Sequence, residues 1–202
     1  GCTMPSTHLA CRVALATLTT LALTTLPAHA VTAWDETANG DLSNNSAAPT
    51  FVAMAAGANT VGGLTGVPGS GVAGIDRDYF SFTVPTGQQL SAIMVNPATY
   101  VSGSVSFIGI ERGTQVTSGG SRLMGFSHYG PETVGTNILP DMLAAGTSVL
   151  GSGSYSVWLQ ETGGTVEYSF DFLLTPVPEP ATGLMLGAGL LALGRRLPAR
   201  RR

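Results

Sequence analysis

The chain has 202 residues, a net charge of −3 and no lysine, so all nine of its basic residues are arginine. Six of these arginines lie near the two ends, and the central residues 31–175 carry three arginines against eleven acidic side chains. Such an acidic region repels phosphate backbones and attracts cations, which argues against a nucleic-acid partner.

The first thirty residues have the layout of a secretory signal peptide. Arg12 precedes an uncharged apolar run at 13–26, and an Ala-x-Ala site formed by Ala28 and Ala30 follows it. A charged start, a short apolar helix and small residues at the cleavage site are what signal peptidase accepts. We therefore predict that residues 1–30 form a signal helix that is removed on export. The alternative is a buried amphipathic helix, although the threonines of the run define no polar face.

The central region, 31–175, predicts a single all-β domain. It is rich in Gly, Ser, Thr and Asn, and its apolar residues come in short alternating runs. No helical stripe is longer than about two turns. We expect about eight or nine strands in one β-sandwich or jelly-roll-like domain. Both cysteines precede this region, so it can form no internal disulfide.

The clearest alternation predicts two hairpins. Apolar residues occupy every second position at 79–84, and the Pro-Thr-Gly sequence that follows is typical of a turn into the mostly apolar run at 90–95. The same pattern occurs at 155–159 and 166–172, which a Gly-Gly turn separates. We expect each pair of strands to be hydrogen-bonded in one sheet.

The remaining strands have weaker signals. Short runs of alternating residues predict further strands, and glycine-rich segments between them predict loops. The weaker strands are expected at 50–55, 59–64, 104–110 and 121–127, and the loops at 62–74 and 146–153.

A resemblance follows from the order of these segments. Three segments occur in the same order as in bacterial pre-peptidase C-terminal domains, and the chain is similar to these domains. The segments are an opening rich in Asp and Asn at 35–45, Asp-Arg-Asp-Tyr-Phe-Ser-Phe at 76–82 and Gly-Ser-Tyr-Ser-Val-Trp at 153–158. The resemblance covers most of residues 33–175. It implies a β-sandwich of the kind that accompanies secreted enzymes, some members of which bind calcium or help to hold polymeric substrates.

We expect the domain to hold no cofactor, and calcium is the candidate metal that its residues suit. Asp76 and Asp78 place two carboxylates on the same side of an extended segment at the start of a strand. Calcium takes hard oxygen ligands, and the opening at 35–45 could supply more of them. The alternative is that these are ordinary turn and capping residues.

Catalytic groups are scarce in the central region. It has one histidine, His128, with no cysteine and no lysine, and it lacks both a Gly-x-Ser-x-Gly elbow and a His-Glu-x-x-His motif. We expect no enzyme activity, while a hydrolase would need His128 or a pair of carboxylates in a cleft. Another candidate is a carbohydrate- or polymer-binding module, for which an exposed Trp158 would serve as a binding residue. Trp158 could instead belong to a core.

The last residues form a short apolar segment between a proline motif and an arginine cluster. Pro-Glu-Pro at 178–180 precedes fourteen uncharged residues at 181–194, and Arg195 and Arg196 follow. A helix of this length spans about 21 Å, against a hydrocarbon core of about 30 Å. The apolar segment therefore predicts a short transmembrane helix, with the arginines as a cytoplasmic membrane stop. An ordinary membrane anchor is the alternative.

This arrangement at 176–202 resembles the PEP-CTERM sorting tail. The resemblance implies that exosortase, a membrane enzyme, cuts the chain near the Pro-Glu-Pro motif after the secretion machinery and signal peptidase have acted. It also implies a transient stay in the inner membrane, followed by the cell surface or the extracellular space. The expected role is in a biofilm or in contact with extracellular polysaccharide. The sorting residues that the resemblance assigns are Val177, Pro178, Glu179 and Pro180.

Overall fold

The computed structural model describes residues 30–67, 74–100 and 106–178, together with the single residue 189. Nine strands and two four-residue helices, α1 (Glu36–Asn39) and α2 (Leu139–Met142), lie within these residues, so the all-β prediction is confirmed. The strands are β1 (Val31–Asp35), β2 (Thr50–Phe51), β3 (Gly57–Gly66), β4 (Arg77–Val84), β5 (Gln88–Val95), β6 (Ser106–Arg112), β7 (Leu123–Tyr129), β8 (Gly153–Gln160) and β9 (Thr165–Pro176).

The strands form two sheets. The four-stranded sheet has the order β1-β3-β9-β5, and the five-stranded sheet has the order β2-β4-β8-β6-β7. Most neighbouring strands are antiparallel, but β1 runs parallel to β3 and β2 runs parallel to β4. Each sheet therefore has one parallel edge strand that comes from the first part of the described chain.

The core lies between the two sheets and is rich in aromatic residues. Phe172 of β9 contacts Phe80 and Phe82 of β4 edge to face, with 5.5 Å between ring centroids in both pairs. The alternation in β9 holds over its whole length, because its even-numbered residues from Val166 to Leu174 are all buried. Burial of these side chains is the main force that holds the sheets together.

Both predicted hairpins are wrong. β4 and β5 lie in different sheets, and so do β8 and β9. β4 pairs with β8, and β5 pairs with β9. In each case the two strands turn their apolar sides toward each other across the core. Alternation shows which side of a strand is apolar, but it does not show which strand supplies the hydrogen bonds.

The glycine-rich and edge segments also differ from expectation. β3 continues to Gly66, so the first part of the loop predicted at 62–74 is a strand that pairs with β9. The strand expected at 50–55 contains only the two residues of β2, while β1 was not predicted at all. Pairing with a long neighbouring strand compensates for the weak strand preference of glycine in β3.

The predicted terminal helices lie outside the described residues. Among the residues that the structure describes, no helix is long and apolar enough to cross a membrane. Ala30, Val177 and Pro178 are described, and all three are exposed. The other predicted cleavage, sorting and membrane-stop residues fall outside the description; they are Ala28, Glu179, Pro180, Arg195 and Arg196.

Candidate metal centre

Glu36 is held in place at the junction of β1 and α1. Asp35 caps the helix by accepting a hydrogen bond from the backbone nitrogen of Thr37 at 2.9 Å. The Glu36 carboxylate accepts hydrogen bonds from the backbone nitrogens of Leu42 at 3.1 Å and Leu64 at 2.7 Å. One carboxylate therefore fastens the N-terminal segment to β3.

Gly63 and Tyr168 complete the surroundings of Glu36. A Cβ atom at Gly63 would overlap the Glu36 carboxylate, so the close approach to β3 depends on glycine at this position. The hydroxyl of buried Tyr168 donates to Glu36 Oε1 at 3.3 Å. Burial raises the pKa of Tyr168 well above its usual value, which keeps this hydroxyl protonated as a donor. Burial also raises the pKa of Glu36, while the two backbone hydrogen bonds oppose that rise.

Asp78 is the buried acid of this region. It lies on the core-facing side of β4, in line with Phe80, and its side chain is 0% exposed. Neither carboxylate oxygen has a hydrogen-bond partner among the residues that the structure describes. Burial raises the pKa of Asp78 to about 9, and the nearby carboxylate of Glu36 adds to the rise. The hydroxyl of Tyr168, which donates to Glu36, opposes part of this rise in the pKa of Asp78.

Three carboxylates converge at this point. Glu36, Asp41 and Asp78 each bring one oxygen atom within 4.8 Å of the others, and we call these three residues the acidic cluster. An open cleft of about 650 Å³ leads to it and is lined by Glu36, Asp41 and Asp76. Asp41 is exposed, so the cluster runs from solvent to a fully buried oxygen pair.

Asp76 lies beside the acidic cluster and outside this group of three. Its backbone nitrogen and oxygen pair with Gly66, which connects the start of β4 to the end of β3. Burial raises the pKa of Asp76, and the charge of Asp41 raises it further. Of the two residues predicted to bind calcium, the structure thus brings Asp78 into the cluster and leaves Asp76 on the wall of the cleft.

The geometry of the acidic cluster suits a divalent cation. Calcium–oxygen distances are about 2.3–2.6 Å, so oxygens up to about 4.8 Å apart can bind one ion. A ligand set made of carboxylates favours calcium or magnesium over zinc, which prefers nitrogen and sulfur. A cation would supply the missing partner of the Asp78 oxygens and relieve the repulsion among three carboxylates. Without a cation, the raised pKa of Asp78 means that its carboxyl group must keep a proton.

Glu36 and Asp41 were not singled out from the sequence as ligands. Both belong to the opening at 35–45, which was expected to add ligands to the aspartates of β4. Their selection depends on the parallel pairing of β1 with β3, which brings α1 to β3 and to the start of β4. That pairing has no local sequence signal.

The other residues considered for function lie elsewhere. His128 is exposed on β7 and packs against Phe107 and Phe126 on the outer face of the five-stranded sheet. Trp158 is half-buried on the same outer face, beside Phe107, and therefore does not belong to the core between the sheets. The structure does not bring His128 to the acidic cluster.

Comparison with known proteins identifies the tail. Residues 176–202 match the family described as the PEP-CTERM protein-sorting motif. This match supports export, membrane anchoring and processing by exosortase on the way to the cell surface. No curated protein and no solved structure matches the chain. The resemblance of the central domain to pre-peptidase C-terminal domains stays a prediction.

Proposed function

We propose that the protein is a non-catalytic surface or extracellular-matrix component, which exosortase releases from the membrane as a folded β domain. The match of residues 176–202 to the sorting motif is the observation that carries this proposal. The position of the motif relative to the sheets supports it, since the match begins at Pro176, the last residue of β9.

A cut near the Pro-Glu-Pro motif would leave the domain complete. β9 lies between β3 and β5 and supplies buried side chains along its length, so removal of any part of it would damage the core. After Pro176, Val177 donates one backbone hydrogen bond to Gly87 at 2.9 Å, and Pro178 is exposed. Proline favours an extended backbone, and an extended segment suits the active site of a protease.

A role in a biofilm or in contact with extracellular polysaccharide is the finer part of the proposal. It rests on the resemblance to PEP-CTERM proteins, which implies a bacterium that produces extracellular polysaccharide. The setting of His128 supports a non-catalytic role, because this histidine lies among aromatic rings and away from the acidic cluster. General acid–base or nucleophilic catalysis needs such groups within hydrogen-bond reach of one another.

Replacement of the proline motif tests the sorting part of the proposal. The variant Pro178→Ala/Glu179→Ala/Pro180→Ala should stay with the membrane fraction, because exosortase no longer recognises it. A matched control is Pro140→Ala/Asp141→Ala, which alters an exposed proline–acid pair in α2. The control should be released like the wild type. Release of the triple variant in wild-type amounts would contradict the proposal.

We also propose that the acidic cluster binds calcium, through the carboxylates of Glu36, Asp41 and Asp78. The orphaned oxygens of buried Asp78 are the observation that supports this proposal. Calcium at a hundred times its dissociation constant should raise the free energy of unfolding by about 2.7 kcal/mol. Thermal unfolding with and without calcium measures this rise.

Variants of single acids separate calcium binding from a general salt effect. Asp78→Asn should abolish the calcium-dependent rise in melting temperature, and Asp76→Asn should reduce it less, since Asp76 lies outside the group of three. Asp141→Asn is the control, because Asp141 is an exposed acid of α2. The calcium proposal is wrong if the wild type shows no rise or if Asp78→Asn keeps it.

A further inference from the structure

An aromatic groove crosses the outer face of the five-stranded sheet, on the side of that sheet away from the core. Its walls are aromatic rings from β6, β7 and β8, and its volume is about 530 Å³. Polar side chains lie at its rim, and a turn rich in glycine borders it on one side. The residues that the argument uses, which we call the aromatic groove, are Phe107, Phe126, His128, Trp158, Gln160 and Thr162.

Strand register explains why these side chains meet. Phe107 of β6 lies between His128 of β7 and Gln160 of β8. Two residues further along β6, Gly109 lies between Phe126 and Trp158. Because Gly109 has no side chain, the ring of Phe107 extends over it, and a Cβ atom there would come within 3.0 Å of that ring. The glycine therefore lets the Phe107 ring lie beside both Phe126 and Trp158.

The rings present flat apolar surface to solvent. Phe107 and Phe126 are stacked, with 5.7 Å between centroids and 27° between planes. Trp158 meets Phe107 at 4.9 Å and 62°, and Tyr79 stacks on the other side of Trp158 at 5.9 Å. Phe126 nevertheless remains 55% exposed. Aromatic surface that stays in water is surface that a ligand can cover with a gain in free energy.

The rim supplies hydrogen-bonding groups of fixed direction. Arg77 donates from Nε to the side-chain oxygen of Gln160 at 2.6 Å. This bond orients the amide of Gln160 and leaves its nitrogen as the group that can donate to a ligand. The His128 ring packs edge to face against both Phe107 and Phe126, so its position is also defined.

Charge distinguishes the groove from the rest of the domain. The central region has eleven acidic residues, yet none of them lines the groove. Arg77, which donates to Gln160, brings a positive charge to its rim. A neutral or anionic ligand can therefore approach here without the repulsion that it would meet at the acidic cluster.

We propose that the aromatic groove binds a polysaccharide chain. The apolar faces of sugar rings would stack on Phe126 and Phe107, and sugar hydroxyls would hydrogen-bond to Gln160, His128 and Thr162. Flat aromatic surface bordered by a few directed polar groups is the combination that such a ligand requires. A carboxylate-free lining in an acidic domain admits neutral chains and chains that contain uronic acids. This inference rests on the proposed function in one respect, since export brings the domain into contact with extracellular polymers.

Binding of defined oligosaccharides to the exported protein tests the inference. Isothermal titration with cellohexaose, which is neutral, and with hexaguluronate, which is acidic, distinguishes the two classes of chain. Phe126→Ala should weaken binding of the preferred probe by roughly tenfold, as expected for one lost stacking contact. Phe51→Ala is the matched control, because Phe51 is 62% exposed on β2 of the same sheet. This control should bind like the wild type.

Two further results bear on the location of the site. Asp141→Asn should bind the probe as the wild type does, because Asp141 is an exposed acid of α2 and does not line the groove. Gln160→Ala should weaken binding by several fold, since it removes a directed donor at the rim. The inference is overturned if neither probe binds, or if Phe126→Ala and Phe51→Ala have equal effects. These assays use purified protein, so their outcome is independent of whether exosortase processes the chain.

Discussion

The acidic cluster and the aromatic groove each lack a binding partner, but for different structural reasons. In the cluster, burial of Asp78 leaves charged oxygens without partners, so an ion or a proton is needed inside the protein. In the groove, sheet register leaves the ring of Phe126 in water, so a ligand is needed outside. The first feature should govern stability, and the second should govern binding.

The two regions also draw on different parts of the chain. The cluster joins α1 to β4, and it depends on Gly63 of β3 and Tyr168 of β9, so both sheets must be assembled before it exists. The groove uses adjacent strands of one sheet. Changes at the cluster should therefore propagate through the fold, while changes at the groove should stay local.

The largest expected effect concerns pH in the absence of calcium. Between pH 5 and 8 the free energy of unfolding should fall by about 1.4 kcal/mol per pH unit. Folded Asp78, whose pKa is raised to about 9, keeps its proton, whereas the unfolded carboxyl loses it near pH 4. Urea unfolding at several pH values measures the slope. Asp78→Asn should flatten it, and an unchanged slope in this variant would contradict the assignment.

Substitution of Gly63 gives an intermediate effect that is specific to the cluster. In Gly63→Ala the new methyl group displaces the Glu36 carboxylate, which is the movable end of a side chain, and crowds the Tyr168 hydroxyl that donates to it. We expect most of the calcium-dependent stabilisation to be lost, while the calcium-free protein loses only about 1 kcal/mol. Thermal unfolding with and without calcium measures both quantities.

Gly62→Ala is the control for this substitution on the same strand. The nearest atom to a Cβ at Gly62 is the backbone oxygen of Tyr168, at 3.3 Å, and the Glu36 carboxylate is not in its way. Gly62→Ala should therefore keep its response to calcium. Equal loss of the response in both variants would mean that β3 acts through its backbone and not through the position of Glu36.

The smallest expected effect tests the independence of the two regions. Phe126→Ala should change the free energy of unfolding by less than about 0.5 kcal/mol, because the ring is largely exposed. Combined with Asp78→Asn, its effect should add to within about 0.5 kcal/mol. Urea unfolding of the two single variants and the double variant measures the coupling. A larger coupling energy would show that the cluster and the groove form one site.

Alternation of residues predicted the class of the fold but not its connections. The buried even-numbered residues of β9 were expected from sequence, as was the inward face of β4. Sheet membership was predicted incorrectly, because a short turn can lead either to a neighbouring strand or across the core to the other sheet. The choice depends on long-range pairing, such as that of β4 with β8, which leaves no local pattern.

The candidate sites show the same limit. Asp78 was selected because two aspartates precede a strand, yet its partners Glu36 and Asp41 come from a segment about forty residues earlier. Trp158 was named from the sequence as a candidate binding residue, but Phe107 and Phe126 could not be joined to it without the register of β6 and β7. The sorting motif is different, because its signal is local and linear.

Intact mass spectrometry of the exported protein tests the central claim most directly. The protein from a wild-type host should end near residues 178–180, and the protein from a strain without exosortase should keep its full tail. Such a pair of masses would establish that the domain ending at Pro176 is released as a processed surface protein. An intact tail in both strains would contradict the claim and would make the tail a permanent membrane anchor.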